Sequence, residues 1–228
     1  MSPEKRISKK QIKQDNFITT ALKASEFIQK QKKYFYGGVA GIIVIILIAY
    51  FVSYTNTQKL ANSENMFGKA QLAAAMGQNA LAINDYRSVL DEFGSTPIAD
   101  RACYFLARTY FDQQNYDSAM VYFNVYIDEY AKEPLFVVGA YAGAAECYKN
   151  QEDYAKAGEY YIKAAQQADN DYESPDFYMA AGRVYRDGGM FTEAAGAYQQ
   201  VVDNYNRSMQ FSLAKKYLAE VKYAPESE

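Results

Sequence analysis

The sequence predicts an all-α chain in two parts: a single apolar N-terminal helix able to cross a bilayer, then a solenoid of about four helix pairs closed by a capping helix. Two observations carry this. Tyr34–Tyr54 reads YFYGGVAGIIVIILIAYFVSY, inside a stretch with no charged residue between Lys33 and Lys59. Beyond it, Ala82/Tyr86, Ala119/Phe123, Ala157/Tyr161 and Ala194/Tyr198 repeat an Ala followed four residues later by an aromatic, and the alanines step by 37, 38 and 37 residues. A fixed period of that size marks stacked units, none able to bury its apolar face alone, and the stack leaves an extended surface suited to recognition.

The expected organisation is a basic leader with an amphipathic helix over 1–33, a transmembrane signal anchor over 34–54, a link over 55–62, the solenoid over 63–223 and a tail over 224–228. Residues 1–33 carry nine Lys/Arg against three Asp/Glu, while 34–228 carry fifteen against twenty-four. A basic leader therefore precedes an acidic body. Nucleic-acid binding requires the basic residues on the folded body, so this balance argues against it. The chain has no His, which removes the commonest general base and metal ligand, and its two Cys form no metal-ligand spacing. No phosphate-cradling Gly loop or nucleophile elbow occurs. The expectation is a non-enzyme with no cofactor, metal or small-molecule substrate.

The apolar segment has the roughly 20 residues needed to span a bilayer as a helix. Its eleven Ile, Leu, Val and Phe residues contribute about −3 to −7 kcal/mol towards insertion. Tyr34, Tyr36, Tyr50 and Tyr54 lie near its ends, where amphipathic rings favour the headgroup layer. A cleaved signal peptide would have a shorter basic region and apolar core and a small-residue cleavage site. Lys30, Lys32 and Lys33 on one flank, against Lys59 on the other, keep the N-terminus cytoplasmic and the solenoid on the far side. Gly37 and Gly41 have the spacing of a membrane-helix packing face, although Gly is common in such helices anyway. Upstream, Phe17, Ile18, Ala21, Leu22, Ala24 and Ile28 fall at helical spacing among Lys13, Lys23, Lys30 and Lys32. Such a helix lies on the inner leaflet or docks a cytoplasmic partner, and both readings stand.

Within the solenoid, large residues recur against small ones where two helix backbones approach. The second unit has Cys103-x2-Leu106-Ala107-x2-Tyr110 and then Ala119-x3-Phe123; the third has Tyr141-x2-Ala144-Ala145-x2-Tyr148 and then Ala157-x3-Tyr161. The fourth has Tyr178-x2-Ala181-Gly182-x2-Tyr185 and then Ala194-x3-Tyr198, while the first is degenerate on its leading helix, with Met66, Lys69, Ala70 and Ala73. Polar or Gly-containing stretches at 76–79, 112–115, 150–153 and 187–190 separate the helices of each pair. Thr96-Pro97 and Ser174-Pro175 read as capping hydroxyls before a proline at a helix start, and Pro134 marks the third unit. Phe211, Leu213, Ala214, Tyr217, Leu218 and Val221 form the capping helix.

These residues resemble the tetratricopeptide repeat (TPR) superfamily over about 63–223. A basic cytoplasmic leader, one signal anchor and a small TPR array resemble the ancillary Sec translocon subunits of the bacterial inner membrane. The resemblance implies a periplasmic TPR domain that binds protein partners: the translocon, a chaperone or an unfolded client. Asp91-Glu92-Phe93 and Asp128-Glu129-Tyr130 also resemble TPR units of outer-membrane assembly lipoproteins and cell-division coordinators, so a structural scaffold of an envelope complex is the alternative.

Repeat phase assigns the concave face of the leading helices to Arg101, Tyr104, Arg108 and Phe111, to Glu146 and Lys149, and to Met179, Arg183 and Arg186. The arginines suit an acidic or carboxylate-bearing segment, with a solvated charged face as the bland alternative. Cys103 and Cys147 read as buried free thiols rather than a disulfide, and most of the 23 Tyr as packing residues with hydroxyls at the surface.

Overall fold

The computed structural model describes residues 9–30, 32–170 and 172–223, and side chains within these except at 9–17, 28 and 35. The leader's first eight residues, the side chains of Lys13, Phe17 and Ile28, and the tail 224–228 lie outside the described set. All regular structure described is helical: α1 (Lys9–Lys30), α2 (Lys32–Ala75), α3 (Asn79–Phe93), α4 (Ile98–Asp112), α5 (Tyr116–Val125), α6 (Pro134–Asn150), α7 (Tyr154–Ala168), α8 (Ser174–Asp187), α9 (Phe191–Asn204) and α10 (Phe211–Lys222). The chain divides into two units, 1–57 and 58–228.

In the first unit, α1 and the start of α2 leave their described side chains almost wholly exposed, including the Ile42–Ile48 run. α2 is the one described helix long and apolar enough to cross a membrane by length and composition. The 55–62 stretch is helical throughout and belongs to α2. A Cβ added at Gly37 or Gly41 meets no other group of this chain among the described residues.

In the second unit, consecutive helices from α3 onward pack on one another, and α4 also touches α6. The pairs are the end of α2 with α3, α4 with α5, α6 with α7 and α8 with α9, and α10 closes the stack. Ala82, Ala119, Ala157 and Ala194 are all fully buried, as small residues at close helix contacts must be. Three apolar clusters follow the chain: Phe67, Tyr86 and Leu106 belong to the first, Phe123, Tyr126 and Ala144 to the second, and Tyr161, Met179 and Tyr198 to the third. Hydrogen bonds tie neighbouring units, Gln151 to Asp117 (2.6 Å) and Tyr160 to Asn124 (3.0 Å).

The one longer step, 38 residues against 37, has a local cause. The 38-residue step contains a π-helical turn, Tyr126–Tyr130, and the 17-residue α6, and a π turn inserts one residue into helical winding. Within the pairs, Gly77, Gln114, Glu152 and Gly189 adopt left-handed φ of 73°, 60°, 61° and 74°, each five residues before the repeating alanine. Asn115 and Asp153 then cap α5 and α7, accepting from the Ser118 and Lys156 backbone N–H at 3.2 Å.

Two expectations are corrected. Thr96 and Ser174 do not cap the helices they precede: Thr96 Oγ1 donates to the Phe93 carbonyl (2.8 Å), and Ser174, the first residue of α8, donates to the Ala165 carbonyl (2.8 Å). Each hydroxyl adds a second hydrogen bond to a carbonyl at the end of the preceding helix, which already accepts from a backbone N–H, Thr96 N to Phe93 O (2.8 Å) and Asp169 N to Ala165 O (3.2 Å). The tyrosine hydroxyls also do not all reach the surface, since Tyr198 Oη is buried with no hydrogen-bond partner among the described residues. Burial pushes Tyr86 and Tyr198 up to about 12. Cys103 and Cys147 are buried free thiols, and burial pushes both to about 12.

Candidate functional site

Glycine shapes the opening between α4 and α6. Gly139 and Gly143, one turn apart on α6, face the Tyr104 and Phe123 rings so closely that any Cβ would collide with them. With no side chains there, a groove of about 330 Å³ remains, lined by α4 (Tyr104, Arg108, Phe111), α6 (Gly139, Gly143, Glu146), Tyr161 of α7 and Phe177 of α8. Four of the nine residues assigned from repeat phase therefore line one groove. Arg108, Glu146 and Arg183 occupy equivalent positions on α4, α6 and α8, at steps of 38 and 37 residues.

Arg108 is exposed and makes no ion pair among the described residues. Phe111 and Phe177 stand half-buried in the same lining. Glu146 is already engaged: it accepts the Tyr161 hydroxyl hydrogen and pairs with Lys149. Burial, and then the bond to Glu146, raise the Tyr161 phenol, against which the Arg183 charge acts. Arg183 is exposed on the next leading helix and makes no ion pair among the described residues. The groove thus presents a guanidinium beside apolar rings, with the Glu146 carboxylate held by internal partners and the exposed Asp112 carboxylate at its edge.

Four of the nine assignments, Tyr104, Met179, Arg101 and Arg186, need correction. Met179 is fully buried in the third cluster, and Tyr104 is 9% exposed, with Phe123, Tyr126 and Phe136 around its ring. Tyr104 forms groove floor rather than a free contact. The physical reason is that a leading helix is covered on one side by its own partner and on another by the next unit, which narrows its open strip. Arg101 lies over the Phe67 ring of α2 at 5.1 Å, with Nε buried and without a hydrogen-bond partner among the described residues, and Arg186 lies over Tyr217 of α10 at 5.5 Å while pairing with Asp187 at 3.2 Å. Both guanidiniums are held within the stack. Tyr161, Gly139 and Gly143 were missed as site residues; the Gly139/Gly143 spacing on one helix face was the signal for an opening there.

A larger cavity, about 460 Å³, sits where the start of α8 meets the α9–α10 connection, with Tyr172, Tyr205 and Met209 in its lining and none of the assigned residues. Among the described residues, no cluster of three His, Cys, Asp or Glu side chains has the makings of a metal site.

The tetratricopeptide repeat family model matches residues 67–134 and 143–209. Among solved structures, a tetratricopeptide repeat protein from Parabacteroides merdae is similar with a TM-score of 0.57 at 13% identity, over 70% of this chain and 60% of that one. This chain thus spans about three fifths of that protein's length. MamA is similar with a TM-score of 0.52 at 19% identity, over 70% of this chain and 86% of its own. At these identities the likeness is one of fold. Comparison with curated protein sequences gives no match.

Proposed function

The chain belongs to the tetratricopeptide repeat family, a fold of interaction modules, and on that premise we propose that it is a membrane-anchored adaptor that holds protein partners in the α4–α6 groove. The observation that carries this reading is the exposed Arg108 beside Phe111 and Phe177 in an open groove. A planar fork of donors next to apolar rings suits an extended peptide segment that bears a carboxylate. Arg183 extends the positive strip by one unit.

The anchor is the apolar part of α2, supported by its length and composition. Lys30, Lys32 and Lys33 orient it with the N-terminus in the cytoplasm of a bacterial cell and the array in the periplasm. That architecture resembles the ancillary Sec translocon subunits, and the resemblance supports a role beside the translocon and periplasmic chaperones. An envelope scaffold with no client requires no open groove, so the groove favours the adaptor.

Capture of partners from solubilised membranes by the full chain tests the proposal. Arg108→Ser with Arg183→Ser should lower capture severalfold and weaken its salt dependence, because exposed ion pairs are screened. Arg101→Ser with Arg186→Ser, whose parents are packed on rings, should leave capture largely intact in the folded protein. Unchanged capture at low salt by the first pair sinks the groove as the binding element. Protease added to intact spheroplasts should digest residues 60–228; their protection sinks the orientation.

A further inference from the structure

The described side chains of α1 are exposed, among them Ile18, Leu22 and Phe27. Ile18, Ala21, Leu22 and Ser25 stand three and four residues apart and share one strip, whereas Lys23, Phe27 and Lys30 share another side and Glu26 lies between the two. One residue separates the end of α1 at Lys30 from the start of α2 at Lys32, and the apolar run opens at Tyr34. The 22-residue α1 is about 33 Å long. No part of it can therefore stray far from the point where the span would enter the bilayer.

Resting on the membrane-spanning reading above, we propose that α1 lies on the cytoplasmic leaflet and binds anionic lipid headgroups, with the Ile18–Leu22 strip turned to the acyl boundary and the lysines among the headgroups. Two features single out lipid as the occupant. The nine basic residues against three acidic ones in 1–33 complement an anionic surface, and such a surface attracts basic residues next to a span. Attachment to the span keeps that surface at high effective concentration, whereas a soluble protein has to be recruited from dilute solution. The apolar strip is short, so it holds the helix down only together with the charge, as paired weak membrane signals do.

Single cysteines replacing Leu22, Thr20 or Ile45 in the full chain carry a fluorescent label, since the native Cys103 and Cys147 are buried. The labelled proteins are placed in nanodiscs containing nitroxide lipid, made from phosphatidylglycerol with phosphatidylcholine or from phosphatidylcholine alone. In the anionic discs, quenching at position 22 should exceed that at 20, on the opposite side of the helix, by about twofold or more, because a seated helix sinks one face ~5–10 Å into the boundary. High salt, or Lys10→Gln with Lys13→Gln and Lys23→Gln, should abolish the excess while leaving the junction lysines that orient the span. Equal quenching at 22 and 20, or an excess that persists without anionic lipid, overturns the proposal. Strong quenching at 45 with none at 22 overturns the lipid proposal alone, and shielding of 22 only on addition of membrane extract then makes a protein the occupant. Absence of quenching at 45 overturns the spanning reading and this one with it.

Discussion

Gly182 on α8 lies against the ring of Tyr198 on α9, where a Cβ on the glycine would stand 2.6 Å from the ring's Cζ. Tyr198 is fully buried, so its ring has nowhere to retreat. The pair shows how this stack is held together: a ring from one helix occupies the volume that a side chain on the other has vacated.

Gly182→Ala should destabilise the chain by about 1–3 kcal/mol through overpacking, which outweighs the roughly 1 kcal/mol of helix propensity that alanine gains. Gly196, on the helix that carries Tyr198, has open space where a Cβ would stand. Gly196→Ala should therefore stabilise by about 0.5–1 kcal/mol, since only backbone entropy changes. Denaturant midpoints check both, and shifts of the same sign would show that ring contact is not what sets the cost.

The four left-handed turn positions make a second pair of opposite expectations. Gly189→Ala should cost about 1–2 kcal/mol, because a Cβ crowds the following carbonyl in that conformation. Glu152→Gly relieves the same strain at φ 61° but loosens the unfolded chain, which leaves a net gain of about 0.5–1 kcal/mol. Thermal melting of the two variants measures this, and a loss at 152 would mean that Glu152 contributes a contact worth more than its strain.

Asp153 caps α7, and the backbone N–H of Lys156, with a smaller contribution from its ammonium, holds the carboxyl below the ordinary Asp value of 3.8. A depressed acid stabilises the fold above its unfolded value, and that contribution is lost as the pH falls through the folded value. Asp153→Ala should cost about 0.5–2 kcal/mol at neutral pH, and the gap to wild type should narrow below the ordinary Asp range. Asp153→Asn retains an acceptor without a titrating charge, so it should gain on wild type as the solution is acidified. Unfolding curves at neutral and strongly acidic pH decide, and a gap to alanine that does not change with pH removes the charge from the account.

What the amino-acid sequence alone determined is the repeat: Ala82, Ala119, Ala157 and Ala194 announce buried helix contacts because only a small side chain fits where two backbones close, and that requirement is local to each unit. The apolar run 34–54 is legible for the same kind of reason, since length and hydropathy are properties of one segment. Which residues face the groove is not of this kind. Repeat phase assigns Arg101, Arg108 and Arg186 to one face, yet Phe67 of α2 and Tyr217 of α10 take up the outer two and leave Arg108 exposed. Met179 looks like a surface anchor from its register and is fully buried, because the neighbouring unit covers the side of α8 that it occupies. The groove itself exists because Gly139 and Gly143 of α6 meet rings from α4 and α5. Only tertiary structure decides this, since a side chain's exposure is set by the helices packed around it and these come from other units of the chain.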